Sequence, residues 1–180
     1  MPSALGNLEA GFPTSIIDTT PTAVGAWELG VNMGYETNGG TSESALLQVN
    51  YGLMEDIQVS AKWPLVILDG RADGNGDTTI AALWALIKED GNMPSMGLEL
   101  SARTPTGLGF TGYDGTITGV ATKTFGEVRA HLNAGYTTIG NNNSERNSTD
   151  AVAVGADYMV LDNMCLVVDG YSNASPVKAG

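Results

Sequence analysis

Apolar and polar side chains alternate with a period of two along residues 44–65. The odd positions are apolar on both sides of a short polar interruption: Ala45, Leu47, Val49, Tyr51, Leu53, Ile57, Val59, Ala61, Trp63 and Leu65. Outside the interruption at 54–56, the even positions are polar or glycine except Leu46 and Pro64. This period indicates β-strands. A three-residue loop at 54–56 would place Leu53 opposite Ile57, so the pattern predicts an antiparallel hairpin with one apolar face.

The same alternation recurs along most of the chain and predicts nine strands. They cover about residues 26–36, 44–53, 57–65, 78–87, 95–103, 116–123, 128–136, 152–160 and 164–171. Residues 78–87 also fit a helix, because Ile80, Leu83, Trp84 and Ile87 have helical spacing among helix-forming alanines. We expect a strand there, because the neighbouring segments are strands and a turn follows at 89–92.

The predicted connections alternate in length. Short turns occur near residues 55, 91, 125 and 162, whereas long polar loops occur near 39, 73, 110 and 145. This alternation is typical of transmembrane barrels, which have short turns at one membrane surface and longer loops at the other. A Greek-key sandwich has no feature that would make short and long connections alternate in this way.

Aromatic residues on the apolar face lie toward the strand ends. They are Trp27, Tyr35, Tyr51, Trp63, Trp84, Tyr136 and Tyr158. Two aromatic girdles at the membrane surfaces would have this placement. A sandwich core would instead bring its aromatic residues to the middle of the strands.

Charged side chains within the predicted strands fall on the polar face. The candidates for a barrel lumen are Glu28, Glu36, Lys62, Glu99, Arg103, Arg129, His131, Asp157 and Asp169. The apolar face carries almost no charge. In a barrel this arrangement exposes the apolar face to lipid and leaves the polar face to select solutes by charge or to fill a narrow lumen.

The patterns together predict an all-β fold, an antiparallel up-and-down transmembrane β-barrel arranged as a meander. We expect an irregular N-terminal segment at 1–22, the barrel at 23–172, and a tail or truncated continuation at 173–180. Nine strands is an odd number, and a membrane barrel must close. We therefore expect that one to three or more C-terminal strands are missing, together with an export signal, which residues 1–15 do not resemble. A soluble β-sandwich, with its apolar face turned toward a second sheet, is the alternative.

Composition and charge exclude some binding partners, but they say little about function. The chain has 180 residues, a formal net charge of −12 and only eight lysines and arginines, which argues against nucleic-acid binding. There is no apolar run long enough for a membrane helix. Cys165 is the single cysteine, so it cannot form an internal disulfide, and we expect it to be a small packed residue.

Five short motifs, in this order and spacing, resemble a known family. They are Asp18-Thr-Thr-Pro-Thr-Ala-Val-Gly-Ala-Trp-Glu-Leu, Tyr51-Gly-Leu-Met-Glu-Asp-Ile-Gln-Val, Gly76-Asp77, Ala102-Arg-Thr-Pro-Thr-Gly107 and His131-Leu-Asn-Ala-Gly-Tyr-Thr137. Over about residues 18–172 the chain resembles the outer-membrane barrels of the MetA-pathway of phenol degradation family, a transporter-like group. The resemblance implies a channel-like barrel in the outer membrane of a Gram-negative bacterium, passing small hydrophobic or aromatic compounds. The chain departs from the family by ending at Gly180, where the family would continue with further strands.

The sequence does not specify catalysis, a cofactor or a metal site. His131 is the only histidine, and no serine with an orienting acid can be placed beside it, so we expect a hydrogen-bonded lumen residue and no enzyme. Asp69, Asp73, Asn75 and Asp77 resemble the start of a calcium loop. The bidentate glutamate of such a loop is absent, because Trp84 stands near its position. A glycine-rich turn is the simpler interpretation.

Three functions therefore stay open at this point. The first is an outer-membrane channel or transporter whose partners are the lipid bilayer and a small-molecule solute. The second is a structural envelope barrel that conducts nothing. The third is a soluble secreted β-sandwich that binds a ligand. The sequence does not determine the oligomeric state.

Overall fold

Ten β-strands form one antiparallel sheet in the computed structural model of the chain, which describes residues 15–37, 41–68, 71–107, 112–140, 147–161 and 164–173. The strands are β1 (Trp27–Thr37), β2 (Thr41–Met54), β3 (Ile57–Leu68), β4 (Arg71–Asn75), β5 (Thr78–Ile87), β6 (Ser95–Thr104), β7 (Asp114–Phe125), β8 (Val128–Thr138), β9 (Ser148–Leu161) and β10 (Met164–Asn173). No helix occurs in this part of the chain, so it contains no helical membrane span.

Nine of the strands follow one another as a meander, in the order β1-β2-β3-β5-β6-β7-β8-β9-β10. They curl into a half-barrel, which confirms the predicted all-β barrel-like fold. Within the described ranges, β1 pairs only with β2 and β10 only with β9. All described strands belong to one sheet, so the two-sheet sandwich is not the fold observed.

The short strand β4 was not predicted. It pairs with the C-terminal end of β3 and is not one of the nine strands of the meander. Its sequence, Arg71–Asn75, is polar and glycine-containing and carries no period-two signal. Backbone pairing alone defines this strand, so the sequence pattern could not reveal it.

The hairpin of β2 and β3 has the predicted register over most of its length. Tyr51 lies opposite Val59, for example. The turn is shorter than predicted, because Met54, not Leu53, lies opposite Ile57, and only residues 55–56 form the turn. The register shifts between Gly52 and Met54, so a bulge takes up the extra residue.

Residues 78–87 are a strand, as predicted. β5 pairs with β3 on one side and with β6 on the other. Leu83 is buried on one face, whereas Trp84 is exposed on the opposite face. The hydrogen bonds to two neighbouring strands outweigh the helical propensity of the alanines, because local propensity differences are small compared with tertiary pairing.

The two faces of the sheet have the inverse polarity of a soluble protein. The face that we call the inner face is polar and buried, and includes Gln48, Asn50, Gln58, Ser60, Lys62, Glu99, Thr122, His131, Asn133 and Asp157. The opposite, outer face is apolar and exposed, and includes Leu29, Val31, Met33, Leu47, Trp63, Ile80, Trp84, Leu100, Leu132, Val154 and Val168. Exposure of a large contiguous apolar surface marks an interaction with lipid or protein.

The turn between β5 and β6 is tied to the end of β7 by the carboxylate of Glu89. This carboxylate accepts hydrogen bonds from Lys123 Nζ at 2.7 Å and from the hydroxyl of Thr124 at 2.7 Å. It also accepts the backbone N–H of Thr124 at 3.0 Å. The hydrogen bond from the Lys123 ammonium, followed by those from Thr124, lowers the pKa of Glu89 from 4.5 to about 2.

This lowered pKa predicts an acid-dependent loss of stability. The folded state holds Glu89 ionised more strongly than the unfolded state does, so its contribution is full above a pH of about 4.5 and disappears as the pH falls toward about 2. We expect Glu89→Gln to remove this part of the pH dependence of the free energy of unfolding. Lys123→Met should remove most of the same difference, and an unchanged pH profile in both variants would contradict the assignment.

Candidate functional site

Residues 15–22, which we call the crossing segment, run across the inner face near the short turns. At one end the backbone N–H of Ser15 donates to Asp169 Oδ2 on β10 at 2.8 Å. At the other end the N–H of Thr22 donates to Gln58 Oε1 on β3 at 2.7 Å. The anchoring strands are about 29 Å apart if the sheet is flat, whereas the extended segment reaches about 25 Å. The curl of the sheet lets one short segment reach both strands.

The crossing segment makes side-chain contacts in place of strand pairing. The side-chain amide of Asn133 makes two hydrogen bonds with the backbone of Ile17. Its Oδ1 accepts the N–H at 2.8 Å, and its Nδ2 donates to the carbonyl at 2.8 Å. The N–H of Thr19 donates to Thr122 Oγ1 at 3.3 Å, and the Thr19 hydroxyl lies 2.6 Å from that of Ser95. These contacts satisfy backbone groups that would otherwise be buried without partners.

Two glycines of the sheet let the segment lie close to it. A Cβ atom on Gly155 would overlap the side chain of Ile16, which is fully buried. A Cβ atom on Gly52 would overlap the backbone carbonyl oxygens of Thr22 and Ala23. Glycine is required at these positions by the space available, because the neighbouring backbone approaches to within the volume of a methyl group.

The guanidinium of Arg129 joins the crossing segment to β8 and β9. Its Nε and Nη2 donate to the two carboxylate oxygens of Asp157, at 3.0 and 2.6 Å, and its Nη1 donates to Asp18 Oδ2 at 2.8 Å. Arg129 and Asp157 are directly opposite in the β8–β9 register. Both carboxylates are almost completely buried. This is the bidentate geometry that arginine provides and lysine does not.

His131 extends this network away from Arg129. Its Nε2 lies 3.0 Å from Asp157 Oδ1, and its Nδ1 lies 3.1 Å from Thr122 Oγ1. The Thr122 hydroxyl already accepts the N–H of Thr19, so it can donate its own proton to Nδ1. The neutral Nε2–H tautomer therefore satisfies every contact, and this tautomer is assigned from the hydrogen-bond network.

The sequence analysis placed no serine with an orienting acid beside His131, and the structure places a threonine, Thr122, and the acid Asp157 there. Asp157 lies at Nε2 and Thr122 at Nδ1 of its ring, which is the reverse of the nitrogen assignment in a Ser-His-Asp triad. The register of β7, β8 and β9 creates this arrangement, which the search for a serine partner had missed. Thr122 is buried below the crossing segment and accepts a backbone N–H, so its hydroxyl is engaged in holding the segment.

A small apolar patch lies on the inner face, although that face is otherwise polar. Leu83 of β5 and Val120 of β7 form it, and Ile17 of the crossing segment completes a buried apolar cluster with them. Ile17 and Asp18 are adjacent in the chain, so one dipeptide fills the apolar patch and contacts Arg129 at once. Burying these apolar side chains together stabilises the segment on the sheet.

A second charged cluster lies at the opposite end of the strands, near the long loops. Arg103 pairs with Asp114 through Nη2, and its Nε lies 3.8 Å from Asp77 Oδ2. Asp77 Oδ1 accepts the N–H of Gly107 at 2.9 Å, and Asp114 Oδ1 accepts that of Gly140 at 3.0 Å. The two aspartates therefore link loops to strand ends.

The side chains of most residues of the calcium-loop alternative lie outside the described part of the structure. The Asp77 carboxylate is engaged with Gly107 and Arg103. Asp69 lies outside the described residues, and so do the side chains of Asp73 and Asn75. The described part of the chain holds no group of three or more His, Cys, Asp or Glu residues arranged to bind a metal ion.

The predicted lumen residues separate into distinct locations. Arg129, His131 and Asp157 form one network, whereas Arg103 belongs to the cluster at the other end. The others that are described lie on the inner face: Glu28 accepts from Thr22 Oγ1 at 3.0 Å, Asp169 accepts from Ser15, and Lys62 and Glu99 are buried. The side chain of Glu36 lies outside the described residues.

Several residues of the network and of the second charged cluster were not among the predicted lumen candidates. They are Ile17, Asp18, Gln58, Asp77, Asp114, Thr122 and Asn133. Strand parity could have found Gln58, Thr122 and Asn133, because they occupy inner-face positions between charged candidates. Ile17 and Asp18 lie in a segment without a period, so no local signal identifies them.

The predicted girdle residues lie on the outer face in two bands. Trp27, Tyr51, Trp84 and Tyr158 lie near the short turns, whereas Trp63 and Tyr136 lie toward the long loops. All are exposed except Tyr51, which is half-buried against Trp27 with ring centroids 4.6 Å apart. The side chain of Tyr35 lies outside the described part of the structure. The bands give the outer face an aromatic border at both ends.

Comparison with known proteins identifies a family. The family model described as "Putative MetA-pathway of phenol degradation" matches residues 15–171, which include the crossing segment and almost all of the sheet. No curated protein matches the chain.

Proposed function

Because the chain belongs to the family described as "Putative MetA-pathway of phenol degradation", we propose that it acts as an outer-membrane β-barrel that gives small molecules a route through its interior. Lipid is its partner on the outer face. The solutes are small compounds with apolar or aromatic groups. The proposal includes no catalytic step, no cofactor and no nucleic-acid partner.

The observation that carries this proposal is the inverse polarity of the two faces. Leu29 is 70% exposed on the outer face, whereas Gln58 is 1% exposed on the inner face. Water around such an outer face would leave a large apolar surface without a partner. Lipid would be the partner of this apolar surface, because barrels in membranes have an apolar exterior and a polar interior.

The spacing of the aromatic bands supports a membrane position. On β8, Val128 lies opposite Tyr158 at the short-turn end, and Tyr136 lies eight residues further along. Eight residues span about 26 Å along a strand, and a strand tilt of about 40° reduces this to about 20 Å of height. The apolar band of membrane barrels is about 25 Å tall.

A structural barrel that conducts nothing is the second candidate. The crossing segment favours it, because buried residues extend over the inner face from β10 to β3. Such a segment narrows any route through the interior. The two candidates share the membrane position and differ only in whether solutes pass.

Fractionation followed by planar-bilayer recording tests both candidates. We expect the protein to fractionate with outer membranes, to require detergent for a monodisperse state, and to give single-channel conductance after reconstitution. Lys62→Gln removes a buried inner-face cation, and it should shift the ion selectivity of the channel toward cations. Lys88→Gln, at an exposed position beside a turn, is the matched control and should leave the selectivity unchanged.

Each outcome of these measurements separates the candidates. A membrane-inserted protein without conductance would support the structural barrel. A protein that is monodisperse in buffer without detergent would overturn the membrane position and both candidates with it.

A further inference from the structure

The dipeptide Ile17–Asp18 occupies its site as a small ligand would. Its apolar side chain packs in the patch of Leu83 and Val120, and its carboxylate accepts a hydrogen bond from Arg129 Nη1 at 2.8 Å. The Asn133 amide holds the backbone between these two groups. The sheet thus supplies an apolar surface, one cation and one amide within the space of two residues.

We propose that this site binds small carboxylates with an apolar body, of which benzoate is a simple example, and that the crossing segment is its tethered occupant in the closed state. The proposal rests on the proposed function, because such a solute reaches the site through the interior of the barrel. A bound solute places its carboxylate on Arg129 and its apolar body against Leu83 and Val120.

Charge balance favours a carboxylate over other ligands. Asp157 engages the Nε–Nη2 edge of the Arg129 guanidinium and leaves Nη1 for a second acceptor, which is now Asp18. When Asp18 withdraws, a solute carboxylate restores the same charge on the inner face. A neutral solute would leave the half-buried guanidinium without its third charge-assisted hydrogen bond.

The segment is held more weakly than the strands it covers. Its backbone bonds to side chains of the sheet and contributes no ladder hydrogen bonds between Ser15 and Thr22. Segments with few backbone hydrogen bonds of their own open at lower free energy than a sheet does. A tether keeps the segment at a high effective concentration, so a free solute competes with it weakly in the wild type and more strongly when the contacts of the segment are weakened.

Asp18→Asn weakens the occupant while leaving every sheet residue of the site intact. We expect the variant, in detergent micelles, to bind benzoate about tenfold more tightly than the wild type, because a neutral side chain replaces a charge-assisted partner of Arg129. Benzamide has the same shape without the charge and should show no comparable gain. Adding Arg129→Gln to Asp18→Asn should abolish the gain for benzoate.

A reversible crosslink provides a test that leaves Asp18, Arg129 and Asp157 unchanged. The hydroxyls of Thr19 and Ser95 are 2.6 Å apart, so Thr19→Cys with Ser95→Cys places two thiols within reach of a disulfide. Cys165→Ser removes the native thiol from this variant. The oxidised form should exclude benzoate, and reduction should restore binding.

The outcomes distinguish this proposal from the proposed function. Equal benzoate affinity in the oxidised and reduced forms, or equal gains for benzoate and benzamide in Asp18→Asn, would overturn the carboxylate site while the membrane position stands. Failure to insert into membranes would instead overturn the proposed function. Benzoate binding that follows both the charge at residue 18 and the crosslink would support the site.

Discussion

Leu132→Arg is expected to destabilise the membrane-inserted protein by about 2–4 kcal/mol, enough to prevent insertion of a marginal barrel. Leu132 lies near the middle of β8 on the outer face and is 50% exposed, between Ala121 on β7 and Val154 on β9. In a bilayer this position is close to the midplane, where a guanidinium loses its hydration and gains no partner. The fraction of protein folded in liposomes across a urea series measures the loss.

Val128→Arg on the same strand and face is the matched control. Val128 lies about 13 Å from Leu132 along the strand and beside Tyr158 of the aromatic band. Arginine near the membrane surface costs about 0–1 kcal/mol, so the two variants should differ strongly. If the outer face were exposed to water, both changes would fall within about 0.5 kcal/mol of the wild type, and equal effects would therefore contradict a lipid-facing surface.

Arg129→Met is expected to destabilise the protein by about 3–5 kcal/mol, because it leaves two buried carboxylates without their shared cation. Asp18 and Asp157 are 0% and 2% exposed, respectively, and both accept hydrogen bonds from Arg129. The same change should release the crossing segment, since Asp18 then gains by returning to water. Chemical unfolding in detergent measures the stability, and limited proteolysis between residues 15 and 22 measures the release.

Glu89→Gln provides the comparison at a half-buried ion pair. Its partner Lys123 lies 2.7 Å away at a turn, where solvent screens the charges, so the loss at neutral pH should be smaller than for Arg129→Met. Arg129→Lys keeps the charge but loses the bidentate contact, and it should fall between the two. A crossing segment that stays protected from proteolysis in Arg129→Met would contradict the role assigned to the Asp18–Arg129 contact.

Strand parity allowed most of the sheet to be predicted from the sequence. The side chains of a strand point alternately to opposite faces, so Leu132 and Asn133 could be assigned to different faces without any structure. Glycines and polar residues between these runs located the short turns near 91 and 125, which the structure places at residues 90–93 and 126–127. The error at residues 53–56 was a bulge, because adding one residue to a strand changes the register and leaves the apolar pattern almost intact.

The sequence by itself determined where the nine strands of the meander lie, which side chains share a face and that the apolar face needs lipid or another apolar partner. Only the tertiary structure decided that Asp18 meets Arg129, 111 residues away in the chain, and that Ile17 completes an apolar patch with Leu83 and Val120. The alternation of apolar and polar residues along a strand indicates only which face of the sheet each side chain is on. The crossing segment has no period, because its backbone is held by side chains from four strands, and those strands meet it only when the sheet curls.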